Sequence, residues 1–363
     1  MQKIDMVYFM NVDWNWIKQR PHFIAELLND YFNVHVMYQH RYGRNGLQQR
    51  TISTVDVKPI YVIPRGDRYG GLSRINKKLK CNAIRKKIKK TNANILYLTF
   101  PDQVDVIDDN YQGIVVYDCM DNHPAFVKNE LHKTKLISQE KELISRADFI
   151  FASSEHLISV LASRYGSQIE EKTYLVRNGY GGNIIDLNNI EPTMSNHLYT
   201  FAYFGTISSW FNFDYILQSL NDFQDIQYEL FGPIAGVQIP DHKRIHYHGT
   251  VEHDKLLGSV RNADCFIMPF VVNDIIESVD PVKMYEYINF NKNILAPYYK
   301  EIGRFSHFVY FYNSYDEFKT QIEELKKCKL TKYTDIERQS FLAENSWSCR
   351  VDYIKKILDL QGN

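Results

Sequence analysis

The stretch Tyr199-Thr200-Phe201-Ala202-Tyr203-Phe204-Gly205-Thr206 has the pattern of a buried β-strand that ends in a glycine turn. Short β-branched and aromatic runs of this kind alternate with amphipathic helical patterns, which is typical of parallel sheets with crossover helices. A turn cluster and a polar segment, from Asn178 to about His197, separate two such alternations. We therefore predict an α/β protein with two Rossmann-like domains, residues 1–182 and 197–345, facing each other across a cleft.

Residue types and turn signals place the individual elements. The predicted strands are Met6–Met10, Val34–Tyr38, Val57–Ile63, Ile95–Thr99, Gly113–Tyr117, Phe149–Ala152, Tyr174–Val176, Tyr199–Phe204, Gln227–Phe231, Arg244–Tyr247, Cys265–Phe270 and Asn293–Ala296. The predicted helices include Pro21–Asn29, Glu130–Arg146, Glu155–Arg164, Asp254–Arg261 and Pro281–Phe290. Ligands of open parallel sheets bind at the carboxyl ends of strands, so the residues after each strand are candidates for a site.

The composition is that of a globular chain and argues against a nucleic-acid binder. The 363 residues suggest two or three domains, and 43 Lys and Arg balance 43 Asp and Glu. The five cysteines are scattered without a Cys-x-x-Cys pair, which indicates a reducing compartment and no structural zinc. No apolar run reaches the roughly 18 residues of a membrane span, and the first residues lack a secretory-signal pattern, so we expect a cytoplasmic location.

The segment around Pro281 has an anion-binding pattern. Pro281 suits a first helical turn, with Asp280 or Ser278 as the cap. Lys283 then lies in that turn, where the helix dipole disfavours a cation unless an anion binds beside it. Glu286 shares a face with Lys283 and can accept hydrogen bonds from ribose hydroxyls. An ordinary solvated Lys/Glu pair explains this spacing equally well.

Gly205 ends the strand quoted above, and a backbone without a side chain can approach a ligand closely there. The N–H groups and hydroxyls that follow, at Thr206 and Ser208, could hold a diphosphate. The segment is neither Gly-x-Gly-x-x-Gly nor a P-loop, so a dinucleotide cofactor is not indicated. By itself the segment fits a plain turn between a strand and a helix.

Polar residues also follow two strands of the first domain. Asp121 and His123 come after the fifth predicted strand, where an aspartate can act as a general base. A turn or cap aspartate is the alternative. Trp14, Arg20 and His22 come after the first strand, where they would stand at the mouth of the cleft, with the tryptophan as a sugar-stacking ring. A core tryptophan with capping polar groups is equally consistent with that pattern.

Four histidines raise the question of a metal site: His242, His246, His248 and His253. Two of them share one face of a predicted strand, but no carboxylate or cysteine completes a ligand set. Asp-x-Asp, a common way to hold a metal and a diphosphate, is absent from the sequence. We therefore expect no metal ion and no other cofactor.

A long run without acidic residues surrounds positions 74–90, which carry nine lysines and arginines. Ile75, Leu79, Ala83 and Ile88 give this helical pattern an apolar stripe. A basic amphipathic helix of this kind can bind an anionic membrane surface, and we favour that hypothesis. The alternative is a solvated crossover helix whose apolar stripe packs on the sheet.

Five segments together resemble the GT-B glycosyltransferases, in particular the group that includes teichuronic-acid and other cell-surface polysaccharide transferases. They are Asp13 to His22, Tyr117 to Asp121, Tyr203 to Trp210, Pro281 to Tyr287, and Ala343 to Trp347. The resemblance lies in their order and spacing. It implies that residues 346–363 form a last helix that crosses back to the amino-terminal domain.

The resemblance also implies roles for single residues. Glu286 matches the second glutamate of a Glu-x7-Glu motif that holds the donor ribose, and Ser278 stands where the first would be. Val251 lies in a segment whose backbone contacts the base. Asp121 matches the aspartate proposed as the base in some inverting relatives.

Many relatives carry an Arg/Lys pair after the turn at Gly205, whereas this chain has Trp210-Phe211-Asn212-Phe213 there. The resemblance therefore assigns the diphosphate to Lys283, Arg20 and the backbone N–H groups of Gly205 and Thr206.

The implied function is the metal-independent transfer of a hexose from a nucleoside diphosphate donor, expected to be a UDP-sugar. The acceptor, bound by the amino-terminal domain, would be a glycan or a lipid-linked glycan in cell-surface polysaccharide synthesis. We expect the enzyme in the cytoplasm or at the inner face of the plasma membrane. A sugar-nucleotide epimerase of the same fold and a catalytically silent scaffold subunit are the alternatives.

Overall fold

The computed structural model describes residues 3–42, 54–66, 69–187, 198–251, 253–328 and 330–359, without the side chains of residues 253, 254 and 257. The chain divides into two units. Unit 1 comprises Met1–Gly179 and Trp347–Asn363, and unit 2 comprises Tyr180–Ser346.

Unit 1 is built on one seven-stranded parallel sheet. Its strands are β1 (Asp5–Met10), β2 (Asn33–Gln39), β3 (Asp56–Ile60), β4 (Ile95–Leu98), β5 (Ile114–Cys119), β6 (Phe149–Ala152) and β7 (Thr173–Leu175). They pair in the order β3-β2-β1-β4-β5-β6-β7. The order reverses between β1 and β4, so the carboxyl ends of these two strands border the switch point at which such sheets bind ligands.

Unit 2 is built on a six-stranded parallel sheet. Its strands are β8 (Tyr199–Phe204), β9 (Ile226–Phe231), β10 (Ile245–Tyr247), β11 (Cys265–Ile267), β12 (Asn293–Pro297) and β13 (Val309–Tyr312). They pair in the order β10-β9-β8-β11-β12-β13, which places the switch point between β8 and β11.

Helices connect the strands in both units. They are α1 (Arg20–Leu28), α2 (Gly70–Thr91), α3 (Glu130–Arg146), α4 (Glu155–Tyr165), α5 (Phe213–Asp222), α6 (His253–Ser259), α7 (Asp274–Glu277), α8 (Val282–Asn289), α9 (Tyr315–Lys327), α10 (Asp335–Glu344) and α11 (Trp347–Asp359). Side-chain caps explain several starts: Asn129 accepts a hydrogen bond from the N–H of His132, and Ser154 accepts one from Leu157. Such caps contribute about 1 kcal/mol each.

The strands read as continuous apolar runs because both faces of each sheet are covered. In β1, Val7 and Phe9 join one buried cluster, whereas Met6, Tyr8 and Met10 join the other. The last helix, α11, belongs to unit 1 and packs against α1.

The predicted fold class is confirmed, since the chain forms two parallel α/β units. Every predicted strand is present, although several bounds differ by one to three residues. The strand at Cys265 ends at Ile267 rather than Phe270, because the N–H of Phe270 turns back to the carbonyl of Met268. The edge strand β13 was missed. Residues 188–197 of the predicted connecting segment lie outside the described residues.

Candidate functional site

Two glycine turns contact each other at the carboxyl end of the sheet in unit 2. The N–H of Gly205, after β8, donates to the carbonyl of Phe231 at the end of β9 (2.8 Å). Gly205 and Gly232 have φ values of +137° and +126°, where other residues are strained. A Cβ on Gly232 would lie 2.2 Å from the carbonyl oxygen of Gly205. Both positions therefore require glycine, and sequence analysis missed the second although its Gly-Pro pair marks a turn.

Lys283 lies directly against the first of these turns. A Cβ on Gly205 would lie 1.8 Å from Lys283 Cε and 2.7 Å from its Nζ. Among the described residues, the ammonium group makes no hydrogen bond and no ion pair. Burial lowers the pKa of Lys283, and the nearby charge of Glu286 acts in the opposite direction. A half-buried cation at the switch point of the sheet is thus available to an anion.

The start of α8 differs in detail from the prediction. Pro281 itself is the N-cap residue, in extended conformation and without a side-chain cap, so Lys283 is the second residue of the helix. The predicted caps were wrong, because both side chains bond elsewhere. The buried carboxylate of Asp280 pairs with Arg304 (2.5 Å), and the hydroxyl of Ser278 donates to the carbonyl of Asp274 (3.0 Å).

The other residues predicted to bind the donor differ in their burial and hydrogen bonding. Ser208 is buried and its hydroxyl donates to the carbonyl of Ala235 (2.8 Å), so it ties two loops together. The carbonyl of Thr206 accepts from the hydroxyl of Tyr203 (2.8 Å). Val251 packs half-buried against the core of unit 2, and Glu286 is half-buried on α8.

In unit 1, Asp121 follows the carboxyl end of β5. Its side chain is half-buried, and its carboxylate makes no hydrogen bond or ion pair with the described residues. Burial raises the pKa of Asp121 to about 7, against an ordinary value of 3.8. Arg20 opposes this shift and Asp118 adds to it. The carboxyl group can therefore take up and release a proton near neutral pH.

A buried network that sequence analysis missed holds the segment beside Asp121. Glu140 of α3 is fully buried and accepts from the hydroxyl of Tyr117 (2.8 Å) and from Arg164 of α4 (3.0 Å). Arg164 also donates to the side chain of Asn122 (2.9 Å). The residue next to Asp121 is thereby tied to two helices. No local sequence pattern predicts such a network, because its members come from separate elements.

Trp14, Arg20 and His22, for which a position at the mouth of a cleft and a core cluster were equally consistent with the sequence, are buried. They are 4%, 5% and 0% exposed. The guanidinium of Arg20 donates to Asp118 through Nε (3.0 Å) and Nη2 (2.7 Å), and to the carbonyl of Val176 through Nη1 (2.7 Å). These hydrogen bonds hold the guanidinium of Arg20 within unit 1. The three residues therefore fit the alternative of a core tryptophan with capping polar groups.

His22 closes the start of α1. Its Nδ1 accepts from the N–H of Gln19 (3.1 Å), and its Nε2 contacts the carbonyl of Trp14 (3.1 Å). His123, in contrast, has a buried Nε2 without a partner among the described residues, and its ring lies 4.6 Å from that of Phe100. Burial lowers the pKa of His123 to about 4, so the ring is neutral at pH 7.

The basic segment 74–90 lies within α2 and has two kinds of charged residue. Lys77, Lys80, Arg85 and Lys87 pair with aspartates of unit 1. The remaining five are without an ion pair among the described residues: Arg74, Lys78, Lys86, Lys89 and Lys90.

Across the described ranges, no helix has the length and apolar character needed to cross a bilayer. Within the same ranges, no group of three or more His, Cys, Asp or Glu side chains is arranged to hold a metal ion.

No protein-family profile matches the sequence, and no curated protein matches it. Solved structures, in contrast, resemble it over nearly the whole chain. Sucrose-phosphate synthase from Thermosynechococcus elongatus has a TM-score of 0.73 at 10% identity and covers 99% of each chain. The Anabaena protein HepE in complex with UDP-glucose has a TM-score of 0.68 at 12% identity, covering 98% of this chain and 99% of that one.

The lipopolysaccharide outer core galactosyltransferase WaaB has a TM-score of 0.66 at 10% identity, covering 97% of this chain and all of that one. At such identities the likeness defines the fold. The chain has the GT-B fold, with two Rossmann-like units, and resembles nucleotide-sugar glycosyltransferases in structure.

Proposed function

We propose that this chain is a glycosyltransferase that takes a hexose from a UDP-sugar. The observation that carries the proposal is Lys283, a half-buried cation without an ion-pair partner among the described residues, lying against the Gly205 turn. The N–H of Thr206 in this turn makes no hydrogen bond with the described residues, whereas the N–H of Gly205 is engaged by the carbonyl of Phe231. The first turn of α8 offers further N–H groups. A diphosphate is the anion that matches one ammonium group and two sets of N–H donors. The GT-B fold, which this chain shares with the complex of HepE and UDP-glucose, supports the same proposal.

In this proposal unit 2 binds the donor. Lys283, the N–H of Thr206 and the N–H groups at the start of α8 stabilise the charge that grows on the leaving diphosphate, the kind of electrostatic effect that supplies most of the rate enhancement of many enzymes. The N–H of Gly205, which the resemblance also assigned to the diphosphate, is bonded to the carbonyl of Phe231 instead. Glu286 accepts from the ribose hydroxyls, and the backbone at Val251 contacts the base. The lysine and the helix terminus take the place of a divalent cation, so transfer is metal-independent.

Unit 1 binds the acceptor, and Asp121 is its proposed catalytic residue. If the reaction inverts the anomeric centre, the carboxylate removes the proton from the acceptor hydroxyl as that oxygen attacks the sugar. If it retains the configuration, the leaving phosphate takes the proton and Asp121 positions the acceptor. A pKa of about 7 suits the first role, because a base is most effective when its pKa lies near the working pH.

We also propose that the acceptor is a glycan or a lipid-linked glycan of the cell surface, and that the enzyme works on an anionic membrane. The support comes from α2. Leu72, Ile75 and Leu79 are 37%, 46% and 41% exposed, at a spacing that places them on one face of the helix. With the five basic residues that lack ion pairs among the described residues, they form a face suited to anionic lipid.

Titration with UDP tests the donor site. Lys283→Gln removes the charge and keeps most of the side chain, so UDP should bind at least about tenfold more weakly, the usual cost of a lost charge-assisted hydrogen bond. Lys327→Gln, at an exposed lysine of α9, is the matched control and should bind UDP as the wild type does. Isothermal calorimetry gives both constants. An unchanged constant for Lys283→Gln would remove the phosphate assignment.

A second assay separates transfer from the alternatives. A transferase releases UDP from UDP-glucose only when an acceptor is added. An epimerase would change the donor without an acceptor, and a silent scaffold would release nothing with any acceptor.

A further inference from the structure

We propose that unit 1 has a binding pocket for a phosphoryl group, in the cavity between α2 and α3. The inference rests on the proposed function, whose acceptor it describes: a small molecule or headgroup that carries a phosphate monoester. The cavity has a volume of about 340 Å³. That size admits a phosphate with one sugar or a similar small group, since ligand pockets start at roughly 300 Å³.

The place of the cavity in the sheet is the first argument. Phe9, near the carboxyl end of β1, and Phe100, two residues after β4, both line it. These two strands flank the point where the strand order of unit 1 reverses. Open parallel sheets bind their ligands at that point.

The second argument is the position of the cavity beside the proposed base. Val127 lines the cavity and directly follows the short 3-10 helix His123–Phe126, which begins two residues after Asp121. The ring of Phe100 also contacts the ring of His123 at 4.6 Å. A ligand anchored in the cavity therefore borders the same short segment as Asp121.

Charge is the third argument. Lys77, Lys80 and Lys135 line the cavity, together with two aspartates. Lys77 is paired with Asp105 at 2.7 Å, and Lys80 lies 3.4 Å from Asp102, which is longer than the roughly 2.7–3.2 Å of an ordinary N–H···O hydrogen bond. Lys135 has no ion pair with any described residue. Cations thus exceed anions around the cavity, and one of them is uncommitted within the described part of the chain.

The walls strengthen the effect of these charges. Apolar side chains form much of the lining: Phe9, Cys81, Phe100, Val106, Val127 and Leu136. Interactions between charges are stronger beside apolar walls than in open water. A doubly charged phosphoryl group that accepts from Lys80 and Lys135 satisfies both ammonium groups.

Inorganic phosphate is the probe for this pocket. The parent protein is the full chain carrying Lys283→Gln, so that the donor site of unit 2 contributes little to the response. We expect phosphate to raise the melting temperature of this parent at constant ionic strength, because a ligand that binds the folded state stabilises it. In the same parent, Lys80→Gln with Lys135→Gln should weaken the apparent affinity at least about tenfold.

Two further variants of the parent keep this test interpretable. Lys135→Gln alone alters an exposed side chain and leaves the fold intact, and it should weaken binding several-fold. Lys141→Gln removes the same charge from an exposed position of α3 outside the cavity, and it should change nothing. An equal response of parent and double variant to phosphate, or no response of the parent, would overturn the proposal.

Two competitors show whether the phosphoryl group comes from a soluble ester or from a lipid headgroup. Glucose 6-phosphate represents a soluble ester, and a short-chain phosphatidic acid represents a lipid headgroup. Stronger competition with phosphate by one of them assigns that source, and no competition by either contradicts the pocket. UDP binding to the wild type is measured separately, so failure here leaves the donor site standing, and failure there leaves this pocket standing.

Discussion

Lys283 and Asp121 are groups of opposite charge whose pKa values burial shifts in opposite directions. Burial lowers the pKa of Lys283 and raises the pKa of Asp121 to about 7. In each case burial disfavours the charged form, and in each case the proposed substrate relieves the cost. A diphosphate beside the lysine restores its charge, and a proton taken from an acceptor neutralises the aspartate.

Asp121→Asn should lower kcat at least about 100-fold if the carboxylate is a base. For the wild type, kcat/KM should rise with pH up to about 7 and then level off, since only the deprotonated carboxylate accepts a proton. Steady-state kinetics from pH 5 to about 9 check both. Asp109→Asn removes an exposed carboxylate, 95% accessible, and should leave rate and profile unchanged. Turnover by the Asp121→Asn variant at the wild-type rate would refute the assignment.

The same substitution has a signature in stability. Between pH values near 3.8 and 7, folded wild type keeps a proton that the unfolded chain releases, so its stability falls as the pH rises through that window. Asp121→Asn should therefore raise the melting temperature at pH 8 and leave it unchanged at pH 4. A gain of equal size at both pH values would show that burial of the charge is not the cause.

At the scale of elements, α2 has an inner face that packs on unit 1 and an exposed outer face. Ile84 is buried against the sheet, and Lys77 and Lys80 line the cavity toward α3. Leu72, Ile75 and Leu79 are exposed. The predicted apolar stripe is thus divided, because its later members, Ala83 and Ile88, pack half-buried against the core whereas the earlier ones do not.

The exposed face of α2 should decide membrane binding. Replacing Arg74 and Lys78 with Gln should weaken binding to vesicles of phosphatidylglycerol and phosphatidylcholine by about tenfold or more, since each basic residue contributes about 1 kcal/mol. Leu72→Ser with Ile75→Ser should also weaken it, through lost apolar contact. Co-sedimentation measures both effects. Ile336→Ser, at an 81% exposed position in unit 2, is the control. Equal pelleting of all variants would favour the solvated-helix alternative.

At the scale of the whole molecule, unit 1 is assembled from two distant parts of the chain. Trp347 at the start of α11 is 2% exposed and stacks on Phe23 of α1 with ring centroids 5.3 Å apart. Further along, Val351 and Ile354 are buried. Helix α11 therefore completes the core of unit 1, whose other elements precede Tyr180.

Trp347→Ala should lower the free energy of unfolding by about 3–5 kcal/mol, the usual effect of removing a buried tryptophan. Urea denaturation measures this loss. Tyr353→Ala, at a 44% exposed position of the same helix, should change stability by only about 0.5 kcal/mol. UDP binding, which the proposal assigns to unit 2, should stay the same below the transition. A loss for Trp347→Ala no larger than for Tyr353→Ala would contradict the role of α11 in the core.

The sequence predicts elements well where the pattern is local and strong. The bounds of Phe149–Ala152 and Tyr199–Phe204 are correct, because buried parallel strands read as uninterrupted apolar runs. The edge strand Val309–Tyr312 was missed because its middle residues are only half-buried, so its pattern is weaker. The cap of α8 was wrong because the partner of Asp280, Arg304, lies in a different element.

What the sequence by itself determined is the class of the chain: parallel sheets, crossover helices, and glycine at the turn after β8. These depend on periodicity and backbone conformation, which neighbours in the chain decide. Only the tertiary structure decided which charged residues form ion pairs within the protein and which can bind a ligand. Arg20 pairs with Asp118 and is buried, whereas Lys283 lies against Gly205 and makes no ion pair among the described residues. In the sequence each cation stands at the start of a helix that follows a strand. Arg20 is neutralised because folding brings Asp118, which is distant in the sequence, next to it, and no such partner reaches Lys283 among the described residues.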